Sequence, residues 1–142
     1  VGLCELIHSV DSLPLLEEIS RVAGNRELTQ EVLLEINIGY EESKSGFRPE
    51  ELASVLRRAA EIPAVRIRGL MAIPPVCRDP EENRAFFLKM QKLFIDNCGK
   101  KYDNIAMDYL SMGMSADFPE AIRCGANLVR VGSGIFGPRH YA

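Results

Sequence analysis

The 142-residue chain has no residue pattern that belongs to a metal centre, a disulfide framework or a common catalytic motif. Its four cysteines, Cys4, Cys77, Cys98 and Cys124, lie far apart, and its only histidines are His8 and His140. A zinc site or a disulfide scaffold needs tighter clustering. Free thiols in a reducing compartment are therefore expected, and with them a cytoplasmic location. No apolar run approaches the roughly 18 residues that span a bilayer. The net charge of −3, with no block of either sign, leaves no basic footprint for nucleic acid and no charged tail. No basic segment leads into an apolar one at the start, so no signal peptide is read there. The G-x-S-x-G, H-E-x-x-H and P-loop patterns are all missing, and the run from Gly132-Ser-Gly134 is not read as a dinucleotide fingerprint. His140 and Tyr141, at the C-terminal end, are assigned no role. The first residue is Val1 rather than methionine, and Val1-Gly2-Leu3 already reads as strand, so a fragment of a longer chain is expected.

What is present is alternation. Short Val-, Ile- and Leu-rich segments at Leu3–His8, Val32–Ile38, Val65–Ile73, Met107–Ser111 and Leu128–Val131 read as strands. Helical spacing fills the gaps at Asp11–Val22, Pro49–Ile62 and Asp79–Cys98, where Phe86, Phe87, Met90, Leu93 and Phe94 form one stripe. Asp79-Pro80-Glu81-Glu82 joins an N-cap acid to a proline at the first helical position and a glutamate three residues after the cap. Asp117-Phe118-Pro119-Glu120 repeats the acid and glutamate spacing, and Gly24, Gly99 and Gly125 stand where helices are expected to stop.

Strands separated by helices imply a parallel sheet with right-handed crossovers, either an open doubly wound sheet or a (β/α)8 barrel. Central strands of an open sheet are apolar on both faces. Here Glu35 and Asn37 alternate with Leu34 and Ile36, and Arg66 and Arg68 alternate with Val65 and Ile67. One-sided polarity suits the inner face of a barrel, and Glu35 and Arg68 are expected to face the same interior as an ion pair.

Leu110-Ser-Met-Gly-Met-Ser115 and Val129-Arg-Val-Gly-Ser-Gly-Ile-Phe-Gly137 each run from an apolar segment into a Gly/Ser-rich turn. Such turns expose backbone N–H groups at the carboxyl ends of strands, where parallel α/β proteins bind ligands, and barrels commonly hold phosphate there. Phosphate binding and plain tight turning are both consistent with the residues. Arg130, between Val129 and Val131, suits a phosphate clamp, a donor to a ring nitrogen, or a salt bridge.

These residues also carry a resemblance. His8-Ser-Val-Asp11, Glu42-Ser-Lys-Ser-Gly46, Arg68-Gly-Leu-Met-Ala-Ile-Pro74, Leu110-Ser-Met-Gly-Met-Ser115 with Asp117, and Val129–Gly137 occur in that order. Together they resemble the pyridoxal 5′-phosphate homeostasis protein family, which is similar to the barrel domain of alanine racemase. The resemblance implies a fold-type III (β/α)8 TIM barrel, of which residues 1–142 form the C-terminal part, about five βα units, with the N-terminal strands missing. It implies that Ser111, Gly132 and Ser133 hold the pyridoxal 5′-phosphate (PLP) phosphate, with backbone groups of Met112 and Gly113, and that Arg130 faces the pyridine nitrogen and Met71 the ring. The family's Schiff-base lysine belongs to the absent first strand, and Lys44 matches a different family lysine. The implied function is PLP binding in intracellular vitamin B6 homeostasis without catalytic turnover. A PLP-dependent racemase or decarboxylase fragment and a cofactor-free phosphate-binding barrel enzyme are the alternatives. Association with a chain that supplies the missing strands is expected, because a five-strand remnant leaves open edges.

Overall fold

The computed structural model describes residues 1–77 and 79–137, so His140 and Tyr141 lie outside the described residues. Five parallel strands, β1 (Leu6–Val10), β2 (Gln30–Glu35), β3 (Val65–Met71), β4 (Ile105–Met114) and β5 (Leu128–Arg130), form one sheet in sequential order. They alternate with α1 (Leu13–Asn25), α2 (Leu52–Ala59, entered through a 3-10 turn at Pro49–Glu51), α3 (Pro80–Cys98), α4 (Phe118–Arg123) and the single turn α5 (Ser133–Phe136). Doubly wound sheets reverse their strand order at a switch point. Sequential order with no reversal makes this an α/β half-barrel.

One apolar cluster holds the sheet to its helices. Val32, Leu34 and Ile36 of β2 and its extension, Ile67 and Leu70 of β3, and Leu110 and Met112 of β4 bury against Leu16, Ile19, Val55, Leu56, Phe87 and Met90. The alternate residues Glu31, Glu35, Arg68, Met71 and Ser111 thus belong to the opposite, concave face.

Alternation slips once in β3. Val65 and Ile67 belong to the cluster, but so does Leu70, three positions on. The register shift falls at Gly69, which sits at φ +145°, where a Cβ would run into the Tyr109 carbonyl. This bulge keeps Leu70 in the core and turns Met71 to the concave face.

Several expected boundaries move, each for a local reason. β1 begins at Leu6 because the Gln30 side chain takes the place of a ladder before it. Its amide donates to the Cys4 and Glu5 carbonyls and its oxygen accepts from Gly2 N–H. β2 starts earlier, at Gln30, and ends at Glu35, after which Asn37 N–H donates to the Phe47 carbonyl. β4 is longer than Met107–Ser111, and α2 stops at Ala59 rather than Ile62. Asp79 caps α3 by accepting from Glu81 N–H at 3.0 Å. Asp117 does not cap α4 with its side chain, which instead accepts from Met114 N–H at 2.7 Å. Gly24 does not stop α1 but lies inside it, whereas Gly125, at φ +93°, follows the end of α4 as expected.

Candidate functional site

Three strands put a row of side chains across the concave face. Backbone register sets Glu35 of β2 opposite Met71 of β3, and Met71 opposite Ser111 of β4. Met71 and Ser111 are buried, and Ser111 has no exposed surface. Arg130, at the end of β5, reaches into this row. Its guanidinium donates to Ser111 Oγ and, at 3.0 Å, to the Ala72 carbonyl just past β3. His8 of β1 closes the row from the far edge, with Nδ1 3.1 Å from Ser111 Oγ.

The charges in this row perturb one another. Burial lowers the pKa of Arg130, while Glu35 and Asp117 oppose that shift. Burial also raises the Glu35 carboxyl, helped by Asp11 and opposed by Arg130. His8 lies below its ordinary value, first through burial and then through the positive charge of Arg130. The interior thus favours a neutral imidazole beside a fixed guanidinium.

The two Gly/Ser-rich loops meet at the same end of the sheet. Met114 pairs in register with Arg130, and the next residue, Ser115, accepts on Oγ from Gly132 N–H at 3.0 Å and Gly134 N–H at 3.1 Å. Ser133 is exposed and opens α5. A Cβ built on Gly132 would meet nothing within 4 Å, so there is open space over this turn.

Of the residues singled out in the sequence, Ser111, Arg130 and Met71 come together on the concave face, and Gly132 and Ser133 gather with Ser115 at the rim. The Met112 side chain belongs to the helix-facing core, and Gly113 packs against α4, where a Cβ would lie 2.6 Å from that of Ala121. Sequence reasoning gave no role to Ser115 or to His8. A serine ending one loop opposite the glycines of the next was the available signal for the first. His8 stood in the His8-Ser-Val-Asp11 run, but nothing local pointed to its partner, which lies 103 residues away.

The expected Glu35–Arg68 pair is not formed. Arg68 binds Glu31 and, at 2.7 Å, Asp108, and its guanidinium lies 5.3 Å from the Tyr109 ring centroid. Glu35 lies farther along its strand, beside Arg130. Lys44 is engaged in the loop after β2, 2.9 Å from Glu41 and 3.3 Å from the Pro74 carbonyl it donates to. The remaining lysines, Lys89, Lys92, Lys100 and Lys101, lie on α3 or just beyond it, so no lysine stands in the concave row among the described residues. Among the described residues no cluster of His, Cys, Asp and Glu suits a metal ion, and no helix is long and apolar enough to cross a membrane. All four cysteines are free.

Known proteins resemble this chain in sequence and fold. The chain is 43% identical over 141 residues to the pyridoxal phosphate homeostasis protein of Aquifex aeolicus, covering 99% of this chain and 61% of that protein. It is 37% identical over 136 residues to the protein of the same name from Haemophilus influenzae, covering 96% of this chain and 57% of that one. The chain therefore spans less than two thirds of the length of these curated relatives. PipY of Synechococcus elongatus, solved with PLP bound, superposes with a TM-score of 0.83 at 32% identity, over 96% of this chain and 63% of that one. An alanine racemase of Clostridium difficile superposes at TM-score 0.67 with 22% identity, over 94% of this chain and 35% of that one, a likeness of fold alone. The family model for the alanine racemase N-terminal domain matches residues 3–140, and the chain belongs to that family.

Proposed function

We propose that this chain binds pyridoxal 5′-phosphate at the carboxyl end of its sheet and serves intracellular cofactor supply without turning substrate over. The observation that carries the reading is Arg130. It is anchored by Ser111 and Ala72 on the concave face, two residues before a rim turn whose N–H groups converge on Ser115.

The residues fit the group. The open space over Gly132 leaves room for a phosphate beside the N–H groups of the Gly132–Gly134 turn and the hydroxyls of Ser115 and Ser133. Arg130 would face the pyridine nitrogen as a hydrogen-bond donor, and Met71 would face the ring. Ser111, expected from the resemblance to hold the phosphate, is instead read as holding Arg130, from which its hydroxyl oxygen accepts, and the Met112 and Gly113 backbone supports the loop. When bound, PLP supplies an aldehyde for amines and a ring that withdraws electrons. Arginine donates without giving up its proton, so it leaves the ring nitrogen unprotonated and the ring a weak electron sink.

Residues 1–142 are read as part of a (β/α)8 barrel whose β1 and β5 edges are covered by strands from outside this sequence. Support comes from the unpaired edges of the sequential sheet and from the share of its relatives that the chain spans. The free cysteines support a cytoplasmic location.

Equilibrium dialysis of the chain against PLP, pyridoxal and inorganic phosphate, together with an alanine racemisation assay, tests the reading. PLP is expected to be retained above both fragments, with no interconversion of D- and L-alanine. Equal retention of pyridoxal would remove the phosphate loops from the argument, and turnover would replace the carrier with an enzyme.

A further inference from the structure

We propose that His8 is a positioning residue, which through Ser111 holds the Arg130 guanidinium toward a bound ring nitrogen and loosens that hold when it is protonated. The inference rests on reading Arg130 as the ring-nitrogen donor.

The argument begins with hydrogen-bond inventory. Arginine has donors only, so the contact between Arg130 and Ser111 occupies a lone pair of Ser111 Oγ. Ser111 is fully buried, and an unpaired hydroxyl there is costly. The hydroxyl proton needs an acceptor, and His8 Nδ1, at 3.1 Å, supplies one. This arrangement satisfies both groups only when the imidazole is neutral with its proton on Nε2. Arg130, Ser111 and His8 then form a chain of donors running one way from β5 to β1.

Protonation reverses the last link. Nδ1 becomes a donor, Ser111 Oγ faces two donors, and its own proton loses its acceptor. A second cation also enters a site that already holds Arg130. The charged groups around this row are Asp11 at the end of β1, Glu35 on β2, Arg130 on β5 and Asp117 beside α4. Glu35 and Asp117 favour the charge on Arg130 electrostatically. Without Ser111 the guanidinium keeps its bond to the Ala72 carbonyl and loses one of its two anchors, which makes the link to His8 consequential.

The test uses nitrogen-15 NMR of the Arg130 guanidinium in the ligand-free chain between pH 5 and 8. It is paired with PLP affinity over the same range for the wild type, His8→Gln and Ser111→Ala. Glutamine keeps an acceptor for the Ser111 hydroxyl but does not titrate. The wild-type Arg130 resonance is expected to move with an inflection below pH 6.5, and both variants are expected to lack it. PLP affinity should fall about fivefold more in the wild type than in His8→Gln between pH 7.5 and 5.5, roughly the worth of one hydrogen bond. Comparing variants in the same buffers cancels the titration of PLP itself. An Arg130 resonance flat with pH, or one that moves equally in His8→Gln, overturns the inference. If PLP binds to no variant at any pH, the proposed function fails, while the NMR readout still decides the coupling.

Discussion

Ser115 stands over Gly132 so that one hydroxyl oxygen accepts two backbone N–H groups, from Gly132 at 3.0 Å and from Gly134 at 3.1 Å. This contact ties the loop after β4 to the loop after β5. The two Gly/Ser-rich runs that dominate the sequence thereby act as one rim rather than as two separate turns.

Removing that oxygen separates the loops. Ser115→Ala leaves two N–H groups without their acceptor and lets the turn at Gly132 drift. The rim is partly exposed, so water compensates in part and the stability cost is about 1 kcal/mol. Affinity for PLP is expected to drop about tenfold, measured by dialysis, while pyridoxal binding changes little because it carries no phosphate.

Face and order were legible in the sequence, whereas register was not. The alternation of Glu35 with Leu34 and Ile36 correctly placed polar residues opposite the helices, because a strand's side chains must alternate. That pattern says nothing about how far one strand slides along the next. Glu31 pairs in register with Arg66, so Arg68 reaches Glu31 and leaves Glu35 to face Met71. Likewise, the acid-and-glutamate spacing at Asp117 reads as a cap, yet the nearer Met114 N–H takes its carboxylate. Arg130, Ser111 and Met71 could be singled out in the sequence because turn chemistry and family motifs are local, and the fold brings the three to one face. The link from His8 to Ser111 depends on the curvature of the whole sheet, which no local pattern encodes.

Gly69 fixes the slip that separates core from site in β3. At φ +145° an alanine is strained, and its methyl would meet the Tyr109 carbonyl, which belongs to backbone and cannot rotate away. Gly69→Ala is expected to destabilise the fold by about 3 kcal/mol or more, within the range of the most severe single substitutions. Urea denaturation checks this, and a loss below 1 kcal/mol would mean that the bulge relocates at little cost.

Arg68 joins β2 to β4 across β3, through Glu31 and Asp108. Its side chain is 23% exposed and that of Asp108 is 46% exposed, so solvent screens the pairs. Arg68→Met keeps much of the contact with Tyr109 and removes both ion pairs. The expected cost is about 1 kcal/mol at low salt, shrinking as salt is raised toward 1 M. A cost independent of salt would point to packing rather than charge.

Glu35 gives a pH dependence of known sign. Burial and Asp11 raise its carboxyl in the fold above the ordinary value of 4.5, despite the pull of Arg130. The folded state therefore holds a proton that the unfolded chain has already released. The contribution of this group is fully present below pH 4.5 and is lost as pH rises through the raised folded value. Glu35→Gln keeps the shape of the protonated acid and removes the titration. The variant should match the wild type near pH 4 and become more stable by about 0.5–1 kcal/mol at pH 7.5, a modest gain because the group is only half-buried. Denaturation midpoints across this range give the comparison. A glutamine variant that is less stable at pH 7.5 would show instead that attraction to Arg130 outweighs the burial of the carboxylate.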